Sequence, residues 1–249
     1  LIDHTDRVVY LEDDQLARIT TEGLEVFDLR MHLQAPDVQQ LEGIDHKVDL
    51  GSYGSYLEKE IFEQPGTLRN TMRGRVGEDG SIVLGGPNLS LEELQSVRHI
   101  VIIGCGTAYY AGYYAKYRLE EMLNIPVSVE HASEFRYRFG AYDPEHTLAI
   151  FMSQSGETAD TLASLQEAKR RRIMTMGIVN TVGSSLAREV DHGGIYLHVG
   201  VETSVASTKA FTAMVVALLM FGGYVSNKLG QNQVIMRSLA RELLALPKE

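Results

Sequence analysis

From Arg98 onward the hydrophobic positions gather into short continuous runs, His99 to Gly104, Val127 to His131, Leu148 to Ser153, Thr175 to Asn180 and Ile195 to Val199. Unbroken Val, Ile and Leu content predicts strands buried on both faces. Longer stretches with helical spacing lie between and after them: Thr107 to Leu123, Glu157 to Arg172, Ser185 to Val190, Ser207 to Leu229 and Val234 to Leu246. Strand and helix in alternation predict an α/β fold, a parallel sheet with helices on both faces. Before residue 98 the texture differs. The β-prone runs Val8 to Leu11, Leu16 to Thr20 and Leu24 to Phe27 are separated by Asp13-Asp14 and Glu22-Gly23, which predicts a small antiparallel meander. So small a meander is marginal alone, so it is expected to end an upstream β-rich domain or to dock on the chain downstream of it. Residues 29–54 show no period and read as a linker. Tyr56 to Arg75 is helical, with Leu57, Ile61 and Phe62 on one face, and Gln64-Pro65 predicts a break into two short helices joined by a kink.

Composition narrows the classes. With 249 residues, 44% of them apolar, there is enough chain for one large domain with appendages. A net charge of −10 opposes binding to a nucleic-acid backbone, and no basic helix-turn-helix pattern precedes residue 98. The one dense basic run, Lys169 to Arg172, falls at a predicted helix end, where cations complement the helix dipole. A single cysteine, Cys105, excludes an intrachain disulfide and a cysteine-rich zinc site and points to a reducing cytoplasm. The apolar stretch Met214 to Val225 is shorter than the roughly 20 residues that span a bilayer, so it reads as a core helix and no membrane partner is expected. His131, His192 and His198 lack metal-ligand spacing. The chain opens on Leu1 with no signal-peptide organisation, and a piece of a longer protein is expected.

Ligands of open parallel sheets bind beyond the carboxyl ends of the strands, which directs attention to three loops. Ser153-Gln154-Ser155-Gly156-Glu157-Thr158 sets three hydroxyls and an amide around a glycine at a helix start. Free backbone N–H groups, the helix dipole and the close approach that Gly156 allows all suit a phosphate. The plainer alternative is an N-cap at Ser155 with local hydroxyl turns. Glu157 should point away from a dianion. The loop Gly104-Cys105-Gly106-Thr107 starts like a dinucleotide fingerprint, with Glu130 as a candidate ribose-binding acid, but Tyr109 stands where the third glycine belongs. Gly106 and Thr107 are expected instead to place a backbone donor and a hydroxyl beside the same ligand, with Cys105 a small loop residue. Ser204 to Lys209 can close the pocket, Lys209 either joining it or reaching to solvent.

Taken together, Cys105-Gly106-Thr107, Ser153 to Thr158 and Val205-Ala206-Ser207-Thr208-Lys209 closely resemble the first SIS (sugar isomerase) domain of the glutamine:fructose-6-phosphate aminotransferase (glucosamine-6-phosphate synthase) family. Lys59 to Pro65 and Ala132 to Arg138 add to the likeness, which runs from about residue 8 to the end. The resemblance implies an SIS-type sheet in residues 83–249, linker helices in 47–82, and the tail of a glutaminase-like domain in 1–46.

It also implies roles. Ser153, Gln154, Ser155 and Thr158 would bind the phosphate of fructose 6-phosphate or glucosamine 6-phosphate. Thr107 would bind a sugar hydroxyl, and the Val205 carbonyl and Ser207 the sugar chain. Cys105, Gly106, Gly156 and Lys209 are further candidates. The family commonly carries a second phosphate-binding hydroxyl where this chain has Ala108, a loss on the order of 1 kcal/mol. In the family, glutamine-derived ammonia is moved onto fructose 6-phosphate and the product isomerised, with no metal or organic cofactor. The lysine, glutamate and histidine that do so lie in a second SIS domain and a C-terminal tail, so no catalytic residue is identified here. A homodimer, and contacts to a second SIS domain and a glutaminase domain of the same protein, are implied partners. Two rivals remain: a non-catalytic sugar-phosphate sensor, and a stand-alone phosphosugar isomerase with Glu134 as its only candidate base.

Overall fold

The computed structural model describes Thr5, residues 7–40, 49–138, Gly140 and residues 142–248. They fall into two compact units, Leu1–Asp49 and Leu50–Glu249. In the first, β1 (Arg7–Val9) pairs antiparallel with β5 (Val38–Gln40), while β2 (Gln15–Thr20), β3 (Gly23–Asp28) and β4 (Leu33–Gln34) form a three-stranded antiparallel sheet. The predicted meander is present, but β4 and β5 lie in the stretch expected to be linker. The Asp28 carboxylate accepts the N–H groups of Arg30 and His32, both at 2.9 Å, and bends the chain back into β4. That order comes from a turn and from pairing with earlier strands, neither of which leaves a local period. The expected domain boundary between residues 46 and 47 lies outside the described residues.

The second unit opens with α1 (Tyr56–Met72), capped by Ser55, whose hydroxyl accepts the Glu58 N–H at 3.2 Å. Contrary to the predicted break into two short helices, α1 continues through Pro65 as one helix. Proline leaves the Ile61 carbonyl without its usual donor, and the Gln64 side-chain amide takes that place at 3.2 Å. The face expected from Leu57, Ile61 and Phe62 is exposed; Glu60, Thr67, Leu68, Thr71 and Met72 are buried instead. A short helix absent from the sequence reading, α2 (Leu91–Ser96), is fixed by a reciprocal cap: Ser90 Oγ accepts the Glu93 N–H and Glu93 accepts the Ser90 N–H.

The sheet contains β6 (His99–Gly104), β7 (Val127–His131), β8 (Thr147–Ser153), β9 (Met174–Val179) and β10 (Gly194–Tyr196), all parallel, in the order β10-β9-β8-β6-β7. Side-chain alternation divides the core in two. Ile100, Ile102, Leu148, Ile150 and Met152 face one layer, with α3 (Thr107–Leu123) and α7 (Lys209–Lys228). Val101, Ile103, Ala149 and Phe151 face the other, with α4 (Ala132–Phe135), α5 (Ala159–Arg170) and α6 (Ser185–Glu189). By length and composition α7 could cross a membrane, but 72% of its apolar window is buried inside the fold, as a core helix requires. Helix α8 (Gln233–Ala245) and a 3-10 turn, Leu246–Lys248, close the chain.

Candidate functional site

Chain order along the sheet reverses between β6 and β8: β7 is laid on one side of β6, and β8, β9 and β10 follow on the other. The loops leaving two adjacent parallel strands then diverge to opposite faces and leave a crevice at their carboxyl ends. Those two loops are Cys105–Thr107 and Ser153–Thr158. Gly104 lies level with Met152, which brings them side by side, and Cys105 Sγ is 3.8 Å from Thr161 Oγ1 on α5.

The second loop is a closed set of hydroxyls. Ser153 Oγ accepts the Gly156 N–H at 2.9 Å and lies 2.9 Å from Thr158 Oγ1 and 3.5 Å from Ser155 Oγ. Ser155 Oγ accepts the Glu157 N–H at 3.1 Å. The N-cap of α5 is Thr158 rather than Ser155, and no side chain caps that helix. Its first N–H groups and its dipole therefore face the hydroxyl set. Helix α5 begins at Ala159, two residues later than predicted, because Gly156 takes φ +70° and Glu157 is drawn to another helix. The Glu157 carboxylate accepts the Ser185 N–H at 2.7 Å, and this bond holds its pKa below the usual carboxylate range. Glu157 is thus engaged at the start of α6, as a dianion in the loop would require.

Gly156 admits no larger residue: a Cβ would overlap the Ser184 hydroxyl, which is buried without a partner among the described residues. Sequence reading did not single out Ser184. It also missed Asn180, whose side chain accepts the Val199 N–H at 3.0 Å and donates to the Gly200 carbonyl at 2.8 Å, while its own N–H donates to the Gln154 carbonyl at 3.1 Å. This bridge ends β10 at Tyr196, earlier than the expected Val199. It also supports an open cleft of about 470 Å³ whose lining includes Gln154, Asn180, Thr181, His198, Gly200 and Glu202. Burial, with Arg75 adding its charge, holds the His198 imidazole below its ordinary pKa.

In the first loop Gly106 takes φ +52° and opens α3 without a side-chain cap, with Thr107 half-buried beside it and Ala108 buried. The dinucleotide alternative loses its acid as well as its third glycine. Glu130 is bound by Arg138 at 2.8 Å and by the Tyr142 hydroxyl, whose pKa burial and Glu130 raise. The Tyr109 ring stacks on His131 at 3.7 Å.

The third loop is held by acids. Glu202 accepts the Ser207 hydroxyl at 2.8 Å and the N–H groups of Thr208 and Ala210 at 2.9 and 3.3 Å, so α7 starts at Lys209 and not at the predicted Ser207. Val205 at the loop tip is fully exposed. Lys209 does not reach to solvent. It is buried, and its ammonium meets Glu63 of α1 at 2.7 Å. Glu63 belongs to the segment Lys59 to Pro65, whose place beside the loop no local pattern reveals.

The profile of the SIS domain family matches residues 93–222. Over 248 residues, 99% of its length, the chain is 42% identical to the glutamine–fructose-6-phosphate aminotransferase (isomerizing) of Chlorobaculum tepidum, and it covers 40% of that protein. It is 40% identical over its whole length to the corresponding enzyme 2 of Bos taurus, covering 37% of it. The chain thus spans about two fifths of the length of the curated relatives it matches. Among solved structures, the C-terminal domain of glucosamine-fructose-6-phosphate aminotransferase from Francisella tularensis superimposes with a TM-score of 0.73 at 39% identity, covering 80% of this chain and 55% of that one.

Proposed function

The chain belongs to the SIS domain family, and from that premise we propose that the crevice between β6 and β8 binds fructose 6-phosphate. The observation that carries this reading is the ring of Ser153, Ser155 and Thr158 hydroxyls at the uncapped start of α5. With the Gln154 amide, these groups are neutral donors gathered at a helix start, where a dianion gains most from the dipole. Thr107 takes a sugar hydroxyl, and the Val205 carbonyl and Ser207 take the sugar chain. Gly106 and Gly156 give the backbone close approach. Cys105 is a small residue of the first loop, its sulfur turned toward Thr161 of α5.

The whole protein is an aminotransferase of the kind its relatives are named for. It converts fructose 6-phosphate and glutamine to glucosamine 6-phosphate and glutamate in the cytoplasm, working as a homodimer. Residues 1–46 form the tail of a glutaminase-like domain, and a second SIS domain completes the reacting end of the site. Calorimetry on the 249-residue chain tests the binding half: fructose 6-phosphate binds and fructose does not. Equal affinity for the two sugars would end the phosphate argument.

A further inference from the structure

We propose that Glu60 of α1 is the positioning residue for the sugar-binding side of the crevice, an inference that rests on the phosphosugar reading above. Glu60 is only 2% exposed. Burying a carboxylate is costly unless its oxygens are matched by donors. Here the donors come from one loop: the Thr203 N–H at 2.5 Å, the Ser204 N–H at 3.2 Å and the Ser204 hydroxyl. That hydroxyl also lies 2.9 Å from the Ala206 carbonyl, which carries the constraint into the Val205 turn.

Residues 202–208 have no regular secondary structure, and Val205 at the tip is exposed, so apolar burial does not shape the turn. Two carboxylates do. Glu202 gathers the downstream half, at Ser207 and Thr208, and Glu60 gathers the upstream half, at Thr203 and Ser204. One turn further along α1, Glu63 pairs with buried Lys209 and fixes the helix against the start of α7. Among the described residues the hydrogen bonds of the Glu60 carboxylate go to Thr203 and Ser204 and not to the Ser153–Thr158 set. Its effect on a bound phosphosugar passes through the carbonyl of Val205 and the hydroxyl of Ser207, so it bears on the sugar and not on the phosphate.

That separation gives the test. Affinities for fructose 6-phosphate and for inorganic phosphate are measured by calorimetry on the wild-type chain, Glu60→Ala, Glu60→Gln and Ser204→Ala. Glu60→Ala is expected to weaken fructose 6-phosphate by about tenfold or more, the worth of a hydrogen-bonded contact or two, while inorganic phosphate changes by less than about twofold. Glu60→Gln, which keeps one acceptor oxygen, recovers part of the loss, and Ser204→Ala shows a smaller loss of the same selectivity. Should Glu60→Ala fail to fold, the two milder variants carry the comparison. Loss of both ligands in parallel would mark Glu60 as a general stabiliser, and unchanged fructose 6-phosphate affinity would make the clamp irrelevant; either result overturns the proposal. A wild-type chain that binds neither ligand refutes instead the phosphosugar reading on which it rests.

Discussion

At Gly156 two demands meet in one residue. Its φ of +70° is a conformation that costs an L-residue roughly 1–2 kcal/mol, and a Cβ would overlap Ser184 beneath it. Gly156→Ala should therefore lower the thermal midpoint and weaken fructose 6-phosphate binding together, since the displaced turn carries Ser155 and the start of α5. Thermal melts paired with calorimetry check this, and an alanine variant of wild-type affinity would show that the turn is not part of the cradle. The hydroxyls of this loop were legible in the sequence because all of them fall within six consecutive residues, Ser153 to Thr158. Ser184, Asn180 and Glu60 were not. Glu60 meets Ser204 across 144 positions, and nothing local distinguishes a helical glutamate that caps a distant loop from one that faces water.

At the scale of the element, α5 shows how both ends of one helix are assigned. Its start is left open toward the hydroxyls, whereas its last turn holds Lys169 and Arg170, with Arg171 at the cap, the expected complement to the dipole. Lys169, Arg170 and Arg171 are also committed to partners. Lys169 pairs with Asp191 at 3.1 Å, and Glu167 receives two 2.7 Å bonds from Arg170 and one of 2.6 Å from Arg171. The Arg170 bonds, reinforced by Arg171 and opposed by burial, bring the Glu167 pKa down to about 2. A depressed folded-state value means that this acid stabilises the fold above its unfolded pKa, near 4.5, and that the contribution fades as pH falls toward 2. Glu167→Gln should thus melt lower than wild type at pH 6, with the gap closing on acidification; melts across that range decide it, and a gap that widened would reverse the assignment. Strand β6 matches the sequence reading to the residue because a buried parallel strand is recorded in its own apolar run; β7 matches in its bounds but, as an edge strand carrying Ser128, Glu130 and His131, is only partly buried and not covered on both faces as expected. The errors cluster where another element intervenes: Gln64 carries α1 past Pro65, Glu202 delays α7, and pairing creates β4 and β5.

Across the whole molecule, the order β10-β9-β8-β6-β7 puts the chemistry of the described residues at one sheet edge, and it does so before any particular side chain is considered. The reversal of strand order beside β6 is what lets a cysteine-glycine-threonine turn and a serine-rich turn, far apart in sequence, share a crevice. In the proposed aminotransferase the phosphate held there is at the far end of the sugar from the carbons that change bonding. An interaction remote from those carbons is expected to be equally strong in the ground and transition states, and such uniform binding lowers KM without raising kcat. Ser155→Ala in the full-length gene product should accordingly raise the KM for fructose 6-phosphate by an amount equivalent to roughly 1–3 kcal/mol, the worth of a hydrogen bond to a charged group, with kcat little changed. Steady-state formation of glucosamine 6-phosphate at saturating glutamine measures both constants. A fall in kcat at constant KM would place Ser155 beside the reacting carbons and not at the phosphate, and absence of product from the wild-type protein would remove the aminotransferase assignment while leaving the binding measurements on the shorter chain to stand or fall by themselves.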